Sequence, residues 1–327
     1  MISLQTPLTE ALKVELPIIG GAMYPCSNAE LVAAVSEAGG IGVVQPLSLV
    51  YVWGHRDLRE GLRFIRKLTQ KPIGMNALLE KSSKLYENRM REWIEIALEE
   101  GVRFFVTSLG NPSEVVRKVH AMGGLVYHDV TERKWALKAV DAGVDGLICV
   151  NNRAGGHAGT QSPEALVREL SDFGKPLICA GGIGDGSHFV SALKLGYAGV
   201  QLGTRLIATT ECKSPGEYKQ AIVEADENDI VHTERVTGIP LAVIQTPYVR
   251  EIGTHAGPLT RYLLRHRRTK HWMRTFYNLN SLWRMKRSMH HGFSTKDYWQ
   301  AGMSVAGVDQ IESVASVLKG FAAAANR

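Results

Sequence analysis

Histidine is the one side chain whose unperturbed pKa, about 6.5, lets it take or give a proton near neutrality. The stretch VNNRAGGHAGT places one, His157, directly after two glycines. Some twenty-five residues later the chain reads PLICAGGIGDG, with Gly181, Gly182 and Gly184 close together. Backbone without side chains lets an anion approach closely, and N–H groups at the start of a following helix favour negative charge. Gly203-Thr204-Arg205 adds further backbone donors, a hydroxyl and a cation. The pair of loops reads as a phosphate cradle, against the plainer reading of glycines serving only as turns. For His157 the plainer reading is a hydrogen bond to loop backbone.

Three further segments carry polar or slender residues in suggestive places. Gly20-Gly21-Ala22-Met23 offers backbone that can lie against a flat ring, with Met23 equally suited to packing. Gly74-Met75-Asn76-Ala77 contains an amide able both to donate to and to accept from a heterocycle edge. Tyr127-His128-Asp129-Val130-Thr131 brings polar groups together, and a structural hydrogen bond is a better account of His128 and Asp129 than a proton pair. HExxH, CxxC, nucleophile-elbow and Walker motifs are absent from the sequence, which leaves zinc hydrolysis, serine hydrolysis and P-loop chemistry without support.

These segments share a position in a repeating unit. Short apolar or β-branched runs alternate with amphipathic stretches up to about residue 212, the pattern of a parallel sheet with crossover helices. Eight strands are predicted, at 17–21, 41–45, 72–77, 104–108, 125–129, 146–150, 176–180 and 199–202. Helices fall between them, for example at 29–38, 89–100, 134–142 and 164–172, and several end in an Ala-Gly or Glu-Gly step suited to a left-handed stop. Eight units favour a closed (β/α)8 barrel, a TIM barrel, whose strand C-termini supply the site. All the segments above would then meet at one rim.

The regular alternation ends near Cys212. The expected organisation is a barrel over 1–212, an inserted and mostly helical basic segment over 213–298 acting as substrate or lid element, and a C-terminal return over 299–327 containing a helix at 310–324. A length of 327 residues suits one such barrel with an insertion, and 45% hydrophobic with 21% charged residues suits a globular core. Four dispersed cysteines suggest a reducing compartment, and the sequence lacks a secretory leader or a long apolar run, so a cytoplasmic location without a transmembrane segment is expected.

The net charge of +6 is local. Residues 252–296 hold ten Lys or Arg and no acidic residue, while the rest of the chain has 28 basic against 32 acidic. That segment suits nucleotide phosphates, an acidic partner such as a carrier protein or an anionic membrane surface, or else a solvated face. Nucleic acid is not the expected partner, because it would leave the rim glycines and His157 without a purpose.

With these residues in view, the chain resembles the nitronate monooxygenase family of FMN-containing barrels. The likeness runs through PIIGGAM, MNALL, VTERKWALKAVDAGVDGL, AGGHAG, AGGIGDG, GVQLGTRLIATTEC and WQAGMSVAG. It implies FMN contacts from Gly21, Ala22, Met23, Asn76, Gly156, Gly181, Gly182, Gly203 and Thr204, and it marks His157 as the catalytic base. It also places Lys138 and the C-terminal Gln300, Gly302 and Met303 with the cofactor set. The activity implied is oxidation of alkyl nitronates or nitroalkanes with O2 to carbonyl compounds and nitrite. The alternative on the same scaffold is an NAD(P)H-dependent flavin reductase of the quinone or enoyl type, with NAD(P)H as co-substrate. Arg153, where the family often has an acid, and Met303, where it often has glutamine, depart from the nitronate pattern.

Overall fold

The computed structural model describes residues 2–79, 84–235, 239–255 and 298–327, so most of the basic segment lies outside the described residues. Eight parallel strands, β1 Ile18–Gly20, β2 Ile41–Val44, β3 Ile73–Leu78, β4 Phe104–Ser108, β5 Leu125–Val130, β6 Gly146–Val150, β7 Leu177–Ala180 and β8 Gly199–Leu202, close into a barrel in chain order. β8 pairs back onto β1 through Ile18 with Val200 and Gly20 with Leu202. Each predicted strand is present, with both ends within a residue of those expected. Strands covered on both faces must be apolar almost throughout, which is what runs such as IGVV, GLICV and LICA provide.

The barrel interior is packed. Ile19, Ile41, Val43, Phe104, Val106, Tyr127, Ile148, Ile178 and Ala180 form one buried cluster inside it, while Val126, Val130, Leu147, Cys149 and Cys179 belong to a second cluster between strands and helices. Inward glycines make room for the large rings: a Cβ on Gly74 would come within 2.7 Å of Phe104, and one on Gly146 within 2.5 Å of Tyr127. Those two rings meet edge to face at 5.3 Å. The short helix Pro7–Leu12, opened by a Thr6 capping box, closes the lower end with Leu8 and Leu12. Its six residues are too few for a periodic signal, so this plug has no trace in the hydrophobic pattern.

Around the barrel, Asp57, Ser162, Asp185 and Ser313 cap their helices with side-chain acceptors. The Ala-Gly and Glu-Gly steps do stop helices, with Gly39, Gly101 and Gly143 at positive φ. The C-terminal helix Val314–Ala325 packs on helices Ala29–Glu37 and Gly186–Lys194, where Phe321 stacks on Phe189 at 5.6 Å.

Beyond β8 the described chain carries helices and one short hairpin. Between helices Gly216–Glu224 and Pro247–Ile252 stands an antiparallel hairpin, β9 Ile230–Thr233 with β10 Leu241–Ile244. Apolar runs of four residues cannot be told from helix segments by periodicity, so the hairpin has no separate signal in the sequence. β10 docks on two sides at once: Ala242 bridges to Gly156 and Val243 to Gln300. Among the described residues no helix is long and apolar enough to cross a membrane.

Packing of this tightness is testable at two glycines. A Cβ on Gly42 would lie 2.0 Å from the Val32 carbonyl oxygen, so Gly42→Ala should cost about 2 kcal/mol or more in urea unfolding. Gly320, in the middle of the C-terminal helix, has open space around it, and Gly320→Ala should add up to about 1 kcal/mol.

Candidate functional site

Three backbone segments interlock at the C-terminal mouth of the barrel, and glycine is what lets them do so. Gly181 (φ +119°) and Gly182 (φ +79°) follow β7 in conformations that an L side chain rarely adopts. A Cβ on Gly181 would lie 2.4 Å from Asn151 Oδ1 and 2.5 Å from the Ala154 nitrogen. A Cβ on Gly184 would lie 2.1 Å from the Ser304 carbonyl oxygen, and one on Gly302 2.4 Å from the Gly155 nitrogen. The post-β6 loop, the post-β7 loop and the C-terminal return are therefore in backbone-to-backbone contact.

Specific hydrogen bonds fix that arrangement. The Gly302 N–H donates to Thr204 Oγ1 at 3.0 Å, and the Met303 N–H donates to the Arg153 carbonyl at 2.9 Å. Asn151, wholly buried at the end of β6, donates through Nδ2 to the Gly181 carbonyl at 3.0 Å and accepts from the Arg153 N–H at 2.8 Å. Asn151 was not singled out from sequence. Its signal was present, since an asparagine at a strand end commonly accepts from the backbone two residues on.

Among the described residues, the N–H groups of Gly182, Ile183, Gly203 and Thr204 donate to no protein acceptor. Backbone donors left open at a partly buried rim are what an anion needs. Two expectations about charge change. Arg205 is buried, donating to the Ala208 carbonyl and Glu312 Oε2, so it is committed to the fold. The cation beside the cradle is Arg153, whose Nε would lie 2.5 Å from a Cβ on Gly182 and whose guanidinium pairs with Glu227. The helix after β7 is also not a free N-terminus, because Asp185 caps it by accepting from the His188 N–H.

The first strand contributes next to β8. The Gly21 N–H donates to the Leu202 carbonyl at 2.8 Å, Ala22 packs on the interior cluster, and Met23 Sδ would lie 3.7 Å from a Cβ on Gly203. Asn76 is buried on the inner face of β3, and its amide has no partner among the described residues. Gln300 Oε1 would lie 3.6 Å from a Cβ on Gly156, and the Gln300 carbonyl accepts from the Tyr218 hydroxyl. Lys138 stands apart from this group. It is exposed on helix Arg133–Asp141, with its ammonium over the Trp135 ring at 4.7 Å, because a residue six positions into a barrel helix has left the rim.

His157 lies on the loop pinned between Asn151 and β10, where Ala242 donates to the Gly156 carbonyl at 2.8 Å and the Gly159 N–H donates to the Asn151 carbonyl at 3.2 Å. The side chain is open to solvent, yet the surrounding protein withdraws enough water to lower its pKa below the ordinary value, which favours the neutral base at pH 7. His128 and Asp129 do not form a pair. His128 faces outward and shares a 2.8 Å hydrogen bond with Thr107 Oγ1, while Asp129 faces into the barrel.

The chain is a closed (β/α)8 barrel whose open backbone donors follow the seventh and eighth strands, the place where phosphate sites of this fold are frequently formed. The family model described as Nitronate monooxygenase matches residues 5–321, and the chain belongs to that family of flavin-dependent oxidoreductases. It is 29% identical over 253 residues to the (3aS,4S,5R,7aS)-5-hydroxy-7a-methyl-1-oxo-octahydro-1H-indene-4-carboxyl-CoA dehydrogenase of Mycobacterium tuberculosis, spanning 76% of this chain and 68% of that one. A probable nitronate monooxygenase of Staphylococcus saprophyticus is 27% identical over 311 residues, 82% of this chain and 86% of the relative. The structure of FabK from Thermotoga maritima superposes with a TM-score of 0.80 at 28% identity, over 99% of this chain and 97% of that one.

Burial drives the His128 pKa down from 6.5 to about 4. Its folded value is below its unfolded one, so the stability it contributes is whole above about 6.5 and is lost as pH falls toward 4. His128→Gln, which cannot titrate, should flatten that part of a plot of urea midpoint against pH. An unchanged slope between pH 6.5 and 4 would assign the acid sensitivity to other groups.

Proposed function

We propose that this chain is an FMN-dependent oxidoreductase that oxidises alkyl nitronates and nitroalkanes with O2 to carbonyl compounds and nitrite. The observation that carries the reading is a histidine kept neutral on the same rim as four open backbone donors. These residues fit FMN. The N–H groups of Gly182, Ile183, Gly203 and Thr204 would hold its phosphate, and Arg153 would add positive charge. Backbone at Gly21 and Ala22 would lie against the ring, and the unpartnered Asn76 amide would meet its polar edge. When bound, FMN supplies the two-electron redox chemistry that no side chain offers.

The chain's own part is positioning and proton transfer. His157 Nδ1 or Nε2 takes the α-proton of a neutral nitroalkane, the step that needs a base. A nitronate arrives already deprotonated and needs only to be oriented. β10, the return at Gln300 to Met303 and the 151–159 loop restrict water at the mouth. The four described thiols are free and buried, which suits a cytoplasmic setting.

A second reading has its own support. The names of two relatives, a CoA-ester dehydrogenase and FabK, together with Arg153 and Met303 at positions of family departure, favour an NAD(P)H-linked enzyme acting on a quinone or a thioester. In that case the basic segment would meet nucleotide phosphates or an acidic carrier. Anaerobic mixing of the FMN-loaded protein with propyl nitronate or with NAD(P)H separates the two, since bleaching by nitronate alone supports the first and bleaching by NAD(P)H alone the second. His157→Ala should lower kcat/KM for a neutral nitroalkane by about 10²–10⁴-fold and leave the nitronate within a few-fold. Equal losses on both would end the base assignment.

A further inference from the structure

One half-buried carboxyl inside the barrel mouth, with one oxygen fully enclosed, is left unused by the chemistry above. Asp129 is the penultimate residue of β5, and alternation along that strand defines where it points. Tyr127 belongs to the interior cluster, Val126 and Val130 to the outer one, and Asp129 is two steps past Tyr127 on the inner side, toward the mouth. Its register partner across β6 is Ile148, also interior. Asp129 Oδ1 is enclosed and has no hydrogen-bond partner, and the carboxyl makes no ion pair with any described residue.

An ionised carboxylate cannot remain in such a place at low cost. The groups that surround it offer no relief. From β4 the inner positions are Val106 and Ser108, from β6 Ile148 and Val150, and below it lies the Tyr127 phenol. Of the nearby titratable groups, His128 faces Thr107 and Glu132 pairs with Lys134, both away from it. The loop above carries His157, and that loop presses down on this very point: a Cβ on Gly159 would lie 2.3 Å from the Val150 carbonyl oxygen and 3.4 Å from Thr131 Cβ. Burial raises the Asp129 pKa from 3.8 to about 7, so a large fraction of the carboxyl is neutral near neutrality.

We propose that Asp129 is a second catalytic residue, a carboxylic acid that donates a hydrogen bond to the substrate oxygen on which negative charge gathers while His157 takes the proton from the adjacent carbon. The proposal rests on the proton-abstraction reading of His157. In the step, the C–H bond breaks, its proton goes to the imidazole, and its electron pair forms the C=N bond of the nitronate. The displaced π-pair settles on the nitro oxygen that Asp129 faces. The Asp129 proton stays on Asp129 throughout, so nothing further must be supplied. A neutral acid used as a donor toward a developing oxyanion has a known physical precedent in ketosteroid isomerase.

Two measurements test this, the first without any substrate. Because the folded pKa lies above the unfolded one, the destabilisation by Asp129 is absent below about pH 4 and complete above about pH 7. Asp129→Asn should therefore melt a few degrees above the parent at pH 8, with the gap narrowing below pH 7 and closing by pH 4. A gap of the same size at both pH values means a carboxyl that is ionised in the fold, and overturns the proposal whatever the substrate proves to be. In turnover of a neutral nitroalkane, the parent should lose kcat/KM above about pH 7 through this group. Asp129→Asn, which keeps a donor, should lose that limb and retain activity within about tenfold, whereas Asp129→Ala should fall about 10²-fold at pH 6. Asp129→Ala within twofold of the parent at pH 6, with FMN bound, would also overturn it.

Discussion

The contact on which the site depends is backbone lying directly on backbone. The loop after β6, the loop after β7 and the C-terminal return approach so closely that Gly181, Gly184 and Gly302 have no space for even one carbon. Where side chains are excluded, hydrogen bonds and carbonyls do the positioning. Asn151, Thr204 and the Arg153 carbonyl each hold one segment to another. The same exclusion leaves N–H groups at the mouth without partners among the described residues, and open donors are the raw material of an anion site. A single geometric condition thus fixes the rim and leaves its open donors facing the mouth.

The barrel below supplies the second condition, a water-poor floor. Its interior is filled by aromatic and branched residues up to the level of Tyr127, and helix Pro7–Leu12 seals the far end. A titratable group just above that floor feels low polarity without full burial of the pocket. This explains why the pKa values of His157 and Asp129 move in opposite directions from their ordinary ranges, each toward a larger neutral fraction near pH 7. Burial disfavours the charged form of each, which for one is the acid and for the other the base.

Much of this was legible in the residues, and the parts that were not have identifiable reasons. The strands could be placed because a parallel barrel strand is buried on both faces and so is apolar end to end. Gly181, Gly182 and Gly203 could be assigned to the rim because each follows such a run, and Asn76 because it lies near the C-terminal end of one. Lys138 could not be placed by spacing, since a few helical residues carry a side chain from the rim to the outer wall. Arg205 looked like a cradle cation because proximity in sequence does not reveal that Glu312, more than a hundred residues away, claims it. The hairpin of β9 and β10 and the plug helix are too short to show a period, and their roles are set by distant partners.

The central claim is that the donors after β7 and β8 hold the phosphate of a flavin. Titrating the flavin-free protein with FMN and with riboflavin, which differ only in that phosphate, tests it most directly. FMN should bind tighter by about 100-fold or more, as two or more charge-assisted hydrogen bonds would give. Riboflavin bound within twofold of FMN would contradict it.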